Sequence, residues 1–367
     1  MLSKACLVGA YQRKLEEIAR FDDVELLVIV PPSWDDPAAP VKLERAHTEG
    51  YTLLADPIRL NGHYHLHHYP HLRQRLAEFR PDIVHIDEEP YNLATWMAMR
   101  QAKAAGAKTL FFSWQNLQRR YPFPFNLLEK QVLAGVDYAL MGNQEAVQVW
   151  QAKGYRGPHR VIPQFGVDPA LYQPPARHDD GRDDGRTFTI GSANRRLVPE
   201  KGVDLLLRAA AQLPGIWQVH IAGEGPARPE LARLAQELGI AERVHFDGPI
   251  PSAQMPGYLQ QLDVLVLSSR TQPNWKEQFG RVLVEAMACE TAVIGSNSGE
   301  IPHVIGGAGL IFPEGDADAL HDCLLRLMQS GEERRILGQK GRQRVLDTYT
   351  QAQIAAQTVA VYHEMIQ

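Results

Sequence analysis

The sequence predicts an α/β protein made of two doubly wound, Rossmann-like domains. Its 367 residues exceed what a single hydrophobic core usually holds. Short apolar runs alternate with helical patterns in both halves, which is typical of parallel sheets covered by helices. Between the halves, Gln173–Arg186 is polar and punctuated by Pro and Gly, and is interpreted as a linker. We expect a first domain over residues 1–170, a second over 171–349, and a cleft where the two face one another.

The first domain is expected to begin with the strand Lys4–Val8, the helix Tyr11–Arg20 and the strand Val24–Val30. Gly9 follows the first of these strands, at the edge where open α/β sheets bind ligands, although many such turns need a glycine for geometry alone. The alternation then continues. Further strands are expected at Ile83–Ile86, Lys108–Phe112, Tyr138–Met141 and His159–Ile162, and helices at Pro70–Phe79, Asn92–Ala105 and Asn143–Lys153.

The second domain repeats this alternation after the linker. Its expected strands are Thr187–Gly191, Trp217–Ala222, Val244–Phe246, Val264–Leu267, Ala292–Gly295 and Leu310–Phe312. Its expected helices are Val203–Leu213, Arg228–Leu238, Ser252–Gln261, Phe279–Ala288 and Ala317–Gln329. Two further helical patterns, Glu332–Thr348 and Gln351–Met365, close the chain.

Composition and charge narrow the function classes. Hydrophobic residues make up 44% of the chain and charged residues 22%, as in globular proteins, and the net charge of −5 argues against a dedicated nucleic-acid binder. Cys6, Cys289 and Cys323 lie far apart, which suggests a reducing compartment and no metal-ligand spacing. The opening Met1–Gly9 is too short for a signal peptide, and no apolar run approaches a membrane span. We expect a cytoplasmic protein.

Two carboxylates, Glu277 and Glu285, enclose an apolar helical pattern that starts near Gln278. If the first lies at the helix entry, the eight-residue step to the second covers about 12 Å, comparable to a sugar plus its diphosphate. The amides of Gln278, Phe279 and Gly280 would then lie at a helix N-terminus, which binds phosphate. The alternative is that Glu277 only caps the helix and that Glu285 is an ordinary exposed residue.

Two cations lie near the end of the second domain's first strand. Arg196 and Lys201 occur within the segment Arg-Leu-Val-Pro-Glu-Lys-Gly, between that strand and the following helix. A guanidinium and an ammonium at a strand's carboxyl end would bind a diphosphate, whereas on a solvated loop they would have no ligand.

Three polar stretches of the first domain are open to more than one interpretation. His63–His71 holds five histidines, but no Cys or carboxylate completes a metal set, so a surface or cleft-lining segment is favoured. The acids Asp87, Glu88 and Glu89 follow a strand; one of them could orient an acceptor hydroxyl, although helix capping is favoured. Arg119–Phe125 mixes cations with aromatic rings, which suits an anionic membrane surface, a hydrophobic acceptor or a buried aromatic cluster.

Taken together, these motifs resemble the retaining nucleotide-sugar glycosyltransferases of family 4, which adopt the GT-B fold. The resemblance rests on Arg196–Gly202, Gly223-Glu-Gly225, Glu277-Gln-Phe-Gly-Arg-Val-Leu-Val-Glu285 with the following Ala286-Met-Ala288, and Ile162–Pro169. It covers residues 161–349 well and the preceding residues more loosely. The sequence contains no Gly-x-Ser-x-Gly nucleophile elbow, no HExxH metal motif and no full Gly-x-Gly-x-x-Gly dinucleotide motif.

The resemblance implies a role for each matching residue. Arg196 and Lys201 would hold the donor diphosphate, Glu277 would contact sugar hydroxyls, and Glu285 would bind the ribose. The Phe279 and Gly280 amides would flank sugar and phosphates beside Gln278, the backbone at Pro249 and Ile250 would hold the base, and Gly9 would lie beneath the diphosphate. The last helix, about 350–367, would pack back on the first domain. The nucleotide sugar would be a substrate, with no cofactor and no metal.

The first domain departs from the family pattern in two places. The glycine loop after the first strand is reduced to Gly9-Ala10-Tyr11, and the family histidine after the strand Lys108–Phe112 is replaced within Ser113-Trp-Gln-Asn116. The acceptor-side candidates are therefore Tyr11, Glu88, Gln115 and Asn116.

The function implied is transfer of a sugar from a UDP- or GDP-sugar to a hydroxyl of a sugar, a lipid-linked molecule or another acceptor, with retention at the anomeric carbon. Synthesis of a cell-envelope polysaccharide or glycolipid would suit it, with possible contact at the inner membrane face. Two alternatives stay open, a nucleotide-sugar epimerase on the same fold and a non-catalytic nucleotide-sugar-binding protein.

Overall fold

The computed structural model describes residues 1–36, 40–175 and 186–367. These residues form two compact units, one comprising 1–166 and 351–367 and the other 167–350. The division at 166/167 compares with the predicted boundary at 170/171, and the last helix belongs to the first unit. Of the predicted linker, residues 176–185 lie outside the described residues, as do residues 37–39.

The first unit contains two ladders of parallel strands, which are joined through one residue, Leu2. Its strands are β1 (Leu27–Val30), β2 (Ser33–Trp34), β3 (Val41–Lys42), β4 (Thr52–Ala55), β5 (Ile83–Ile86), β6 (Lys108–Ser113), β7 (Tyr138–Met141) and β8 (His159–Val161). β1 pairs with β4, and β5 to β8 pair in sequence order, all in parallel; β2 and β3 form a small antiparallel hairpin. Leu2 bridges both Ile29 and Ile86 in parallel, so it joins the two ladders.

The predicted strand Lys4–Val8 is wrong. Ala5–Leu7 and Gly9–Tyr11 are short 3-10 turns, and pairing at this position is reduced to Leu2. The hydroxyl of Ser3 accepts a hydrogen bond from the Cys6 N–H at 3.3 Å, which turns the chain away from the sheet. The apolar run that suggested a strand instead buries Cys6 and Leu7 against the core.

Helices cover the parallel strands of the first unit. They are α1 (Arg13–Ala19), α2 (Leu72–Phe79), α3 (Leu93–Ala104), α4 (Phe125–Gly135) and α5 (Gln144–Ala152). All but α4 correspond to sequence predictions, within a few residues at each end. Sequence reasoning missed α4, β4 and the β2–β3 hairpin because their apolar positions are few or interrupted by polar residues.

The second unit holds a six-stranded parallel sheet. Its strands are β9 (Phe188–Arg196), β10 (Trp217–Glu224), β11 (Val244–Gly248), β12 (Val264–Leu267), β13 (Ala292–Ser296) and β14 (Leu310–Phe312). Their spatial order is β11-β10-β9-β12-β13-β14. The strands β10 and β11 are added on one side of β9, and β12, β13 and β14 on its other side, so the order of strand addition reverses between β9 and β12. In doubly wound sheets this switch point, at the carboxyl ends of the strands, is where ligands bind.

The second unit's helices lie on both faces of this sheet and bury two apolar clusters against it. They are α6 (Val203–Ala210), α7 (Arg228–Glu237), α8 (Met255–Leu259), α9 (Arg281–Ala288), α10 (Ile301–Ile305), α11 (Ala317–Gln329) and α12 (Gly331–Thr348). The last helix, α13 (Gln351–Ile366), packs on α1 within the first unit, where the Tyr362 hydroxyl lies 2.7 Å from His85 Nδ1. The predictions missed α10, which is short.

Candidate functional site

A cavity of about 410 Å³ lies at the switch point of the second unit's sheet. The loops after β9, β10, β11 and β12 meet there because all four strands are parallel. The structure therefore brings together six of the predicted donor-site residues along its wall. These are Lys201, Pro249, Ile250, Glu277, Gly280 and Glu285.

Lys201 and Glu277 form an ion pair in the wall of this cavity. Lys201 Nζ lies 2.7 Å from Glu277 Oε2, and the Ser269 hydroxyl donates to the same oxygen at 2.9 Å. The ammonium also lies 4.7 Å from the centre of the Trp275 ring, a cation–π contact. Both charged groups are largely removed from solvent and held by several partners, so their positions are set before any ligand arrives.

The loop that carries Lys201 is fixed to the end of β12 by its backbone. Gly202 has a φ of +64°, and a Cβ atom there would lie 2.0 Å from the Ser268 carbonyl oxygen. The Ser268 hydroxyl donates to the carbonyls of Lys201 and Gly202 at 3.1 and 2.9 Å. Glycine is therefore required at this position, and the close approach aims Lys201 at the cavity.

The prediction that Glu277 lies at the start of a helix is wrong. α9 begins at Arg281, and Gly280, with a φ of +78°, precedes it as the N-cap. Glu277 lies in the preceding loop, where its carbonyl accepts from the Glu300 N–H at 3.2 Å. The helical estimate of about 12 Å between the two acids does not apply, since it assumed one continuous helix.

The amides at the start of α9 are consequently not those of the predicted trio. The first helical N–H groups belong to residues 281–283, and Gly280, Arg281 and Val282 line the cavity. Gln278 is exposed, and Phe279 packs edge-on against Tyr349 at 5.7 Å between ring centres. Of the predicted trio, only Gly280 reaches the cavity wall.

Glu285 lies within α9 and is buried, with 8% of its surface exposed. Arg281 Nε donates to its Oε1 at 2.8 Å, one helical turn away. Burial raises the pKa of this carboxyl, and the attraction of Arg281 opposes that rise. The second acid is thus a buried, oriented acceptor at the cavity wall rather than a solvated surface group.

The cation nearest the cavity on β9 is Arg195, which sequence reasoning did not single out. Arg195 lines the cavity, while its neighbour Arg196 is exposed and paired in register with Glu224 at the end of β10. Successive side chains of a strand point to opposite faces, so adjacent arginines at the end of β9 diverge. A pattern of two consecutive arginines carries no signal that would choose between them.

Gly9 lies in the first unit against the segment before β4. Its N–H donates to Glu44 Oε2 at 2.6 Å, and an added Cβ would lie 2.7 Å from the Ala46 Cβ. The glycine is thus explained by a close approach within its own unit. Tyr11, two residues on, stacks on Phe165 with 4.0 Å between ring centres.

The other acceptor-side candidates have partners within the first unit. Glu88 lies 3.4 Å from both Lys4 Nζ and His67 Nε2; burial alone would raise its pKa, but the interactions with Lys4 and His67 lower the pKa to about 2. Gln115 Oε1 accepts from the Tyr121 hydroxyl at 2.9 Å. Asn116 Nδ2 donates to Glu145 Oε2 at 3.3 Å.

A second cavity, of about 280 Å³, lies wholly within the first unit. Tyr11 and Glu88 are the only predicted candidates among its lining residues as described. Asp87 and Glu89, which were considered together with Glu88, also line it. Sequence reasoning missed Lys4, Trp34 and Tyr64, since they come from distant segments without a shared motif. The lining includes Lys4, Trp34, Tyr64, Asp87, Glu88 and Glu89.

The side chains of the histidine-rich segment His63–His71 contact other side chains of the first unit, and they form no metal cluster with the described residues. His65 packs among aromatic rings, including Tyr121 at 5.7 Å, and His71 Nδ1 lies 2.9 Å from Asp56 Oδ1. Within 1–36, 40–175 and 186–367, no three His, Cys, Asp or Glu side chains are arranged to hold a metal ion. In the same ranges, no helix combines the length and apolar character needed to cross a bilayer.

Comparisons with known proteins identify a family for most of the second unit. Residues 183–344 match the family model described as Glycosyl transferases group 1. An MMP α-(1→4)-mannosyltransferase of Mycolicibacterium hassiacum is 35% identical over 212 residues, covering 56% of this chain and 48% of the relative. A D-inositol 3-phosphate glycosyltransferase of Mycobacterium ulcerans is 31% identical over 216 residues, covering 54% and 44%. The chain thus spans about half the length of the curated relatives it matches.

Comparison with solved structures supports the fold class. The HepE protein of Anabaena, solved in complex with UDP and glucose, superimposes with a TM-score of 0.71 at 17% identity, covering 99% of this chain and 98% of that one. The predicted GT-B class, with two Rossmann-like domains, is confirmed. Residues 183–344, which match the Glycosyl transferases group 1 model, lie within the stretch 161–349 that carries the resemblance to family 4 glycosyltransferases.

Proposed function

We propose that this chain is a retaining glycosyltransferase that moves a sugar from a nucleotide diphosphate donor, a UDP- or GDP-sugar, to an acceptor hydroxyl. The observation that carries the proposal is the Lys201–Glu277 pair, held at 2.7 Å in the wall of the switch-point cavity. A cation suits the donor diphosphate and a carboxylate suits sugar hydroxyls, so the two ends of a nucleotide sugar would each find a partner. The relatives named as glycosyltransferases support the same reaction.

The remaining cavity residues would bind the other parts of the donor, namely its ribose, its base and its diphosphate. Glu285, buried and oriented by Arg281, would accept hydrogen bonds from the ribose hydroxyls. Backbone groups at Pro249 and Ile250, just after β11, would contact the base. Arg195, Arg196 and the start of α9 would add positive potential around the diphosphate. Arg196 keeps its predicted role only if its exposed side chain turns toward a bound donor.

The chemical step forms one bond and breaks another at the anomeric carbon. The bond from that carbon to the terminal phosphate oxygen breaks, and a bond to the acceptor oxygen forms on the same face. The proton of the acceptor hydroxyl passes to the departing diphosphate. Lys201 and the neighbouring N–H dipoles would stabilise the charge that develops on this leaving group, without a metal ion. Because both cation and carboxylate are already oriented, little reorganisation would be needed during the reaction.

The test is product analysis with the purified chain. UDP-glucose, UDP-galactose, UDP-N-acetylglucosamine and GDP-mannose are each incubated with a panel of glycoside acceptors, with and without EDTA. We expect one donor to be consumed faster when an acceptor is present, to give an α-linked product by NMR, and to be insensitive to EDTA. An altered sugar nucleotide formed without acceptor would identify an epimerase, and donor binding without turnover would identify a binding protein. An inverted product would refute retention.

We also propose that the segment Arg119–Phe125 contacts an anionic membrane surface, at the cytoplasmic face if the chain acts on a lipid-linked acceptor. Phe123 is 78% exposed, and Leu127, on the first turn of α4, is 46% exposed. The exposed Arg119, Arg120 and Lys130 lie in the same stretch. Apolar rings beside cations suit an interface where lipid headgroups are negative.

Sedimentation with lipid vesicles tests this contact. The chain should co-sediment with vesicles containing phosphatidylglycerol and much less with phosphatidylcholine alone. Phe123→Ser with Arg120→Glu should reduce the bound fraction severalfold, whereas Ile216→Ser, which removes a side chain 61% exposed in the second unit, should not. Equal binding by the unchanged chain and both variants would refute the assignment.

A further inference from the structure

The first-unit cavity of about 280 Å³ combines aromatic rings, one cation and three carboxyl groups. Resting on the proposed transferase function, we infer that this cavity binds an uncharged sugar, packed against Trp34 and Tyr64, and excludes anionic acceptors. Every residue used in this inference lies in the first unit, so it is separate from the donor-site cavity.

Two aromatic rings form an apolar wall of the cavity. The centres of the Trp34 and Tyr64 rings lie 5.0 Å apart at an interplanar angle of 58°. The C–H face of a pyranose ring is apolar and weakly positive at its hydrogens, and therefore packs on the negative face of an aromatic ring. Tyr64, which is 48% exposed, offers most of such a face, because Trp34 is 3% exposed and has the Lys4 ammonium over its ring. The edge of the sugar, where the hydroxyls are, would be left to polar groups.

The cation beside these rings already has its partners. Lys4 Nζ lies 4.2 Å from the centre of the Trp34 ring, 4.8 Å from that of Tyr64, and 3.4 Å from Glu88 Oε2. Lys4 is the sole Lys or Arg among the described residues that line this cavity. A phosphate or carboxylate on the acceptor would therefore have to compete with Glu88 for it.

Carboxyl groups dominate the charge of the cavity. Asp87, Glu88 and Glu89 all line it. Lys4 and His67 lower the pKa of Glu88 to about 2. Burial raises the pKa of Asp87 and, to about 7, that of Glu89, so Glu88 is the carboxylate whose charge is maintained most firmly. An anionic acceptor would be repelled at this wall, since like charges in a poorly solvated site disfavour one another. Sugar hydroxyls, in contrast, can donate hydrogen bonds to carboxylate oxygens without adding charge.

Trp34 supplies an independent sign of a ligand. It is only 3% exposed, and its Nε1 is buried without a hydrogen-bond partner within the chain as described. Buried indole N–H groups usually have a partner, and leaving one unsatisfied is costly. Trp34 lines the cavity, so a hydroxyl of a bound sugar would satisfy this N–H if the side chains around the indole move on binding. The carboxyl oxygens and the half-exposed Tyr64 ring match a neutral polyol better than an anion.

This assignment separates the chain from one of the relatives described above. That relative is named for D-inositol 3-phosphate, whose phosphate is an anion. The sequence match to it covers 54% of this chain, so acceptor specificity can differ while the donor fold is shared.

The test is ligand binding by saturation-transfer NMR on the full chain without nucleotide. Methyl α-mannoside, methyl α-glucoside and methyl α-galactoside are compared with methyl α-glucuronide, myo-inositol 3-phosphate and L-malate. We expect at least one neutral glycoside to bind, with saturation strongest on its ring C–H protons, and the anions to bind at least tenfold more weakly. Binding of the anions as tightly as the glycosides, or of the anions alone, would overturn the inference.

Variants place the binding in this cavity. Trp34→Ala should weaken glycoside binding at least tenfold, and Tyr64→Ala, at a side chain 48% exposed, supplies a second variant that folding tolerates more easily. Trp96→Ala is the matched control, because Trp96 lies outside the cavity and donates to Gln131. Glu88→Gln should raise the ratio of anion to glycoside affinity. Glycoside binding unchanged in both Trp34→Ala and Tyr64→Ala would overturn the assignment.

The outcome for this cavity can be told apart from that for the proposed function. Glycoside binding needs no donor and no turnover, and the donor is assayed separately by nucleotide-induced stabilisation of the second unit. Donor consumption with anionic acceptors alone would refute the acceptor inference and leave the transferase intact. Glycoside binding that depends on Trp34, in a chain that binds no nucleotide, would support the sugar site and refute the transferase.

Discussion

Lys201 Nζ lies 2.7 Å from Glu277 Oε2 in the second unit, which joins the loop after β9 to the loop before α9 across the switch point of the sheet. The two residues are 76 positions apart, and the close backbone approach of Gly202 to Ser268 fixes one side of the pair. Removing one of the two charged side chains leaves the charge of the other uncompensated in a partly buried site. The pair therefore couples the geometry of the site to its electrostatics.

Replacing Lys201 tests the diphosphate role. Lys201→Met keeps most of the side-chain volume and removes the charge, so kcat/KM for the donor should fall by about 10²–10³-fold, as when one preorganised charge-stabilising group is removed. Lys340→Met, at an exposed lysine on α12, is the matched control and should leave kcat/KM unchanged. Steady-state kinetics with the identified donor decide the point, and equal rates in the two variants would exclude this role for Lys201.

Glu277 should act on the sugar and not on the nucleotide. Glu277→Ala is expected to reduce turnover severely while the affinity for the free nucleoside diphosphate, measured by calorimetry, changes by less than severalfold. The physical reason is that its carboxylate would contact hydroxyls of the sugar, which the free nucleotide lacks. Unchanged turnover in this variant would sink the assigned role. Glu277→Gln, which keeps the shape, separates loss of charge from loss of packing against Ser269.

Gly202 should be intolerant of any side chain. Gly202→Ala places a Cβ 2.0 Å from the Ser268 carbonyl at a φ of +64°, so the free energy of unfolding should fall by at least about 2 kcal/mol, with Lys201 displaced. Gly257→Ala is the matched control, since its Cβ would meet no atom within 4 Å and it lies within α8. Alanine there should be neutral or stabilise the helix by about 0.5–1 kcal/mol. Denaturant unfolding compares the two, and equal effects would contradict the role of the Gly202–Ser268 contact.

Glu89 should make stability depend on pH in a defined window. Burial raises the pKa of this carboxyl from the usual 4.5 to about 7, although Ser113 and Trp114 donate to it. The folded state holds the proton more tightly than the unfolded chain, so folding stability should fall as pH rises from about 4.5 to 7. The loss is on the order of 2 kcal/mol, because the carboxyl keeps some exposure.

The change is measured as the difference in unfolding free energy between Glu89→Gln and the unchanged chain. That difference should shift in favour of the variant across the pH window and stay level above it. Any constant offset reflects the hydrogen bond that glutamine cannot accept. A flat difference from pH 4.5 to 8 would show that the carboxyl titrates normally.

Much of the fold could be predicted from periodicity. The strands Ile83–Ile86, Tyr138–Met141, Val264–Leu267 and Leu310–Phe312 have the predicted bounds. Tyr138–Met141 and Val264–Leu267 are continuous apolar runs buried at every position, and the other two are short and mostly apolar. The strand Lys4–Val8 failed for a local reason, since Ser3 turns the chain after Leu2. An apolar run of this length does not distinguish a strand from a buried turn.

The site was less predictable than the fold. Glu277 and Glu285 were found from their spacing, but the helix between them was started too early because Phe279 fits an apolar pattern and Gly280 gives no sign of its positive φ. The choice between Arg195 and Arg196 depends on which way one strand end points. The first unit's cavity was missed because Lys4, Trp34 and Tyr64 meet only through tertiary packing.

The central claim, that the switch-point cavity of the second unit binds a nucleotide diphosphate, is tested most directly by thermal stabilisation. The chain and its Lys201→Met variant are each melted with UDP-, GDP-, ADP- and TDP-sugars at increasing concentration. The account predicts that one base raises the melting temperature, with about 2.7 kcal/mol of stabilisation at 100 times Kd, and that Lys201→Met shifts the response to higher concentration. No stabilisation by any of these donors, or identical responses of the two proteins, would contradict it.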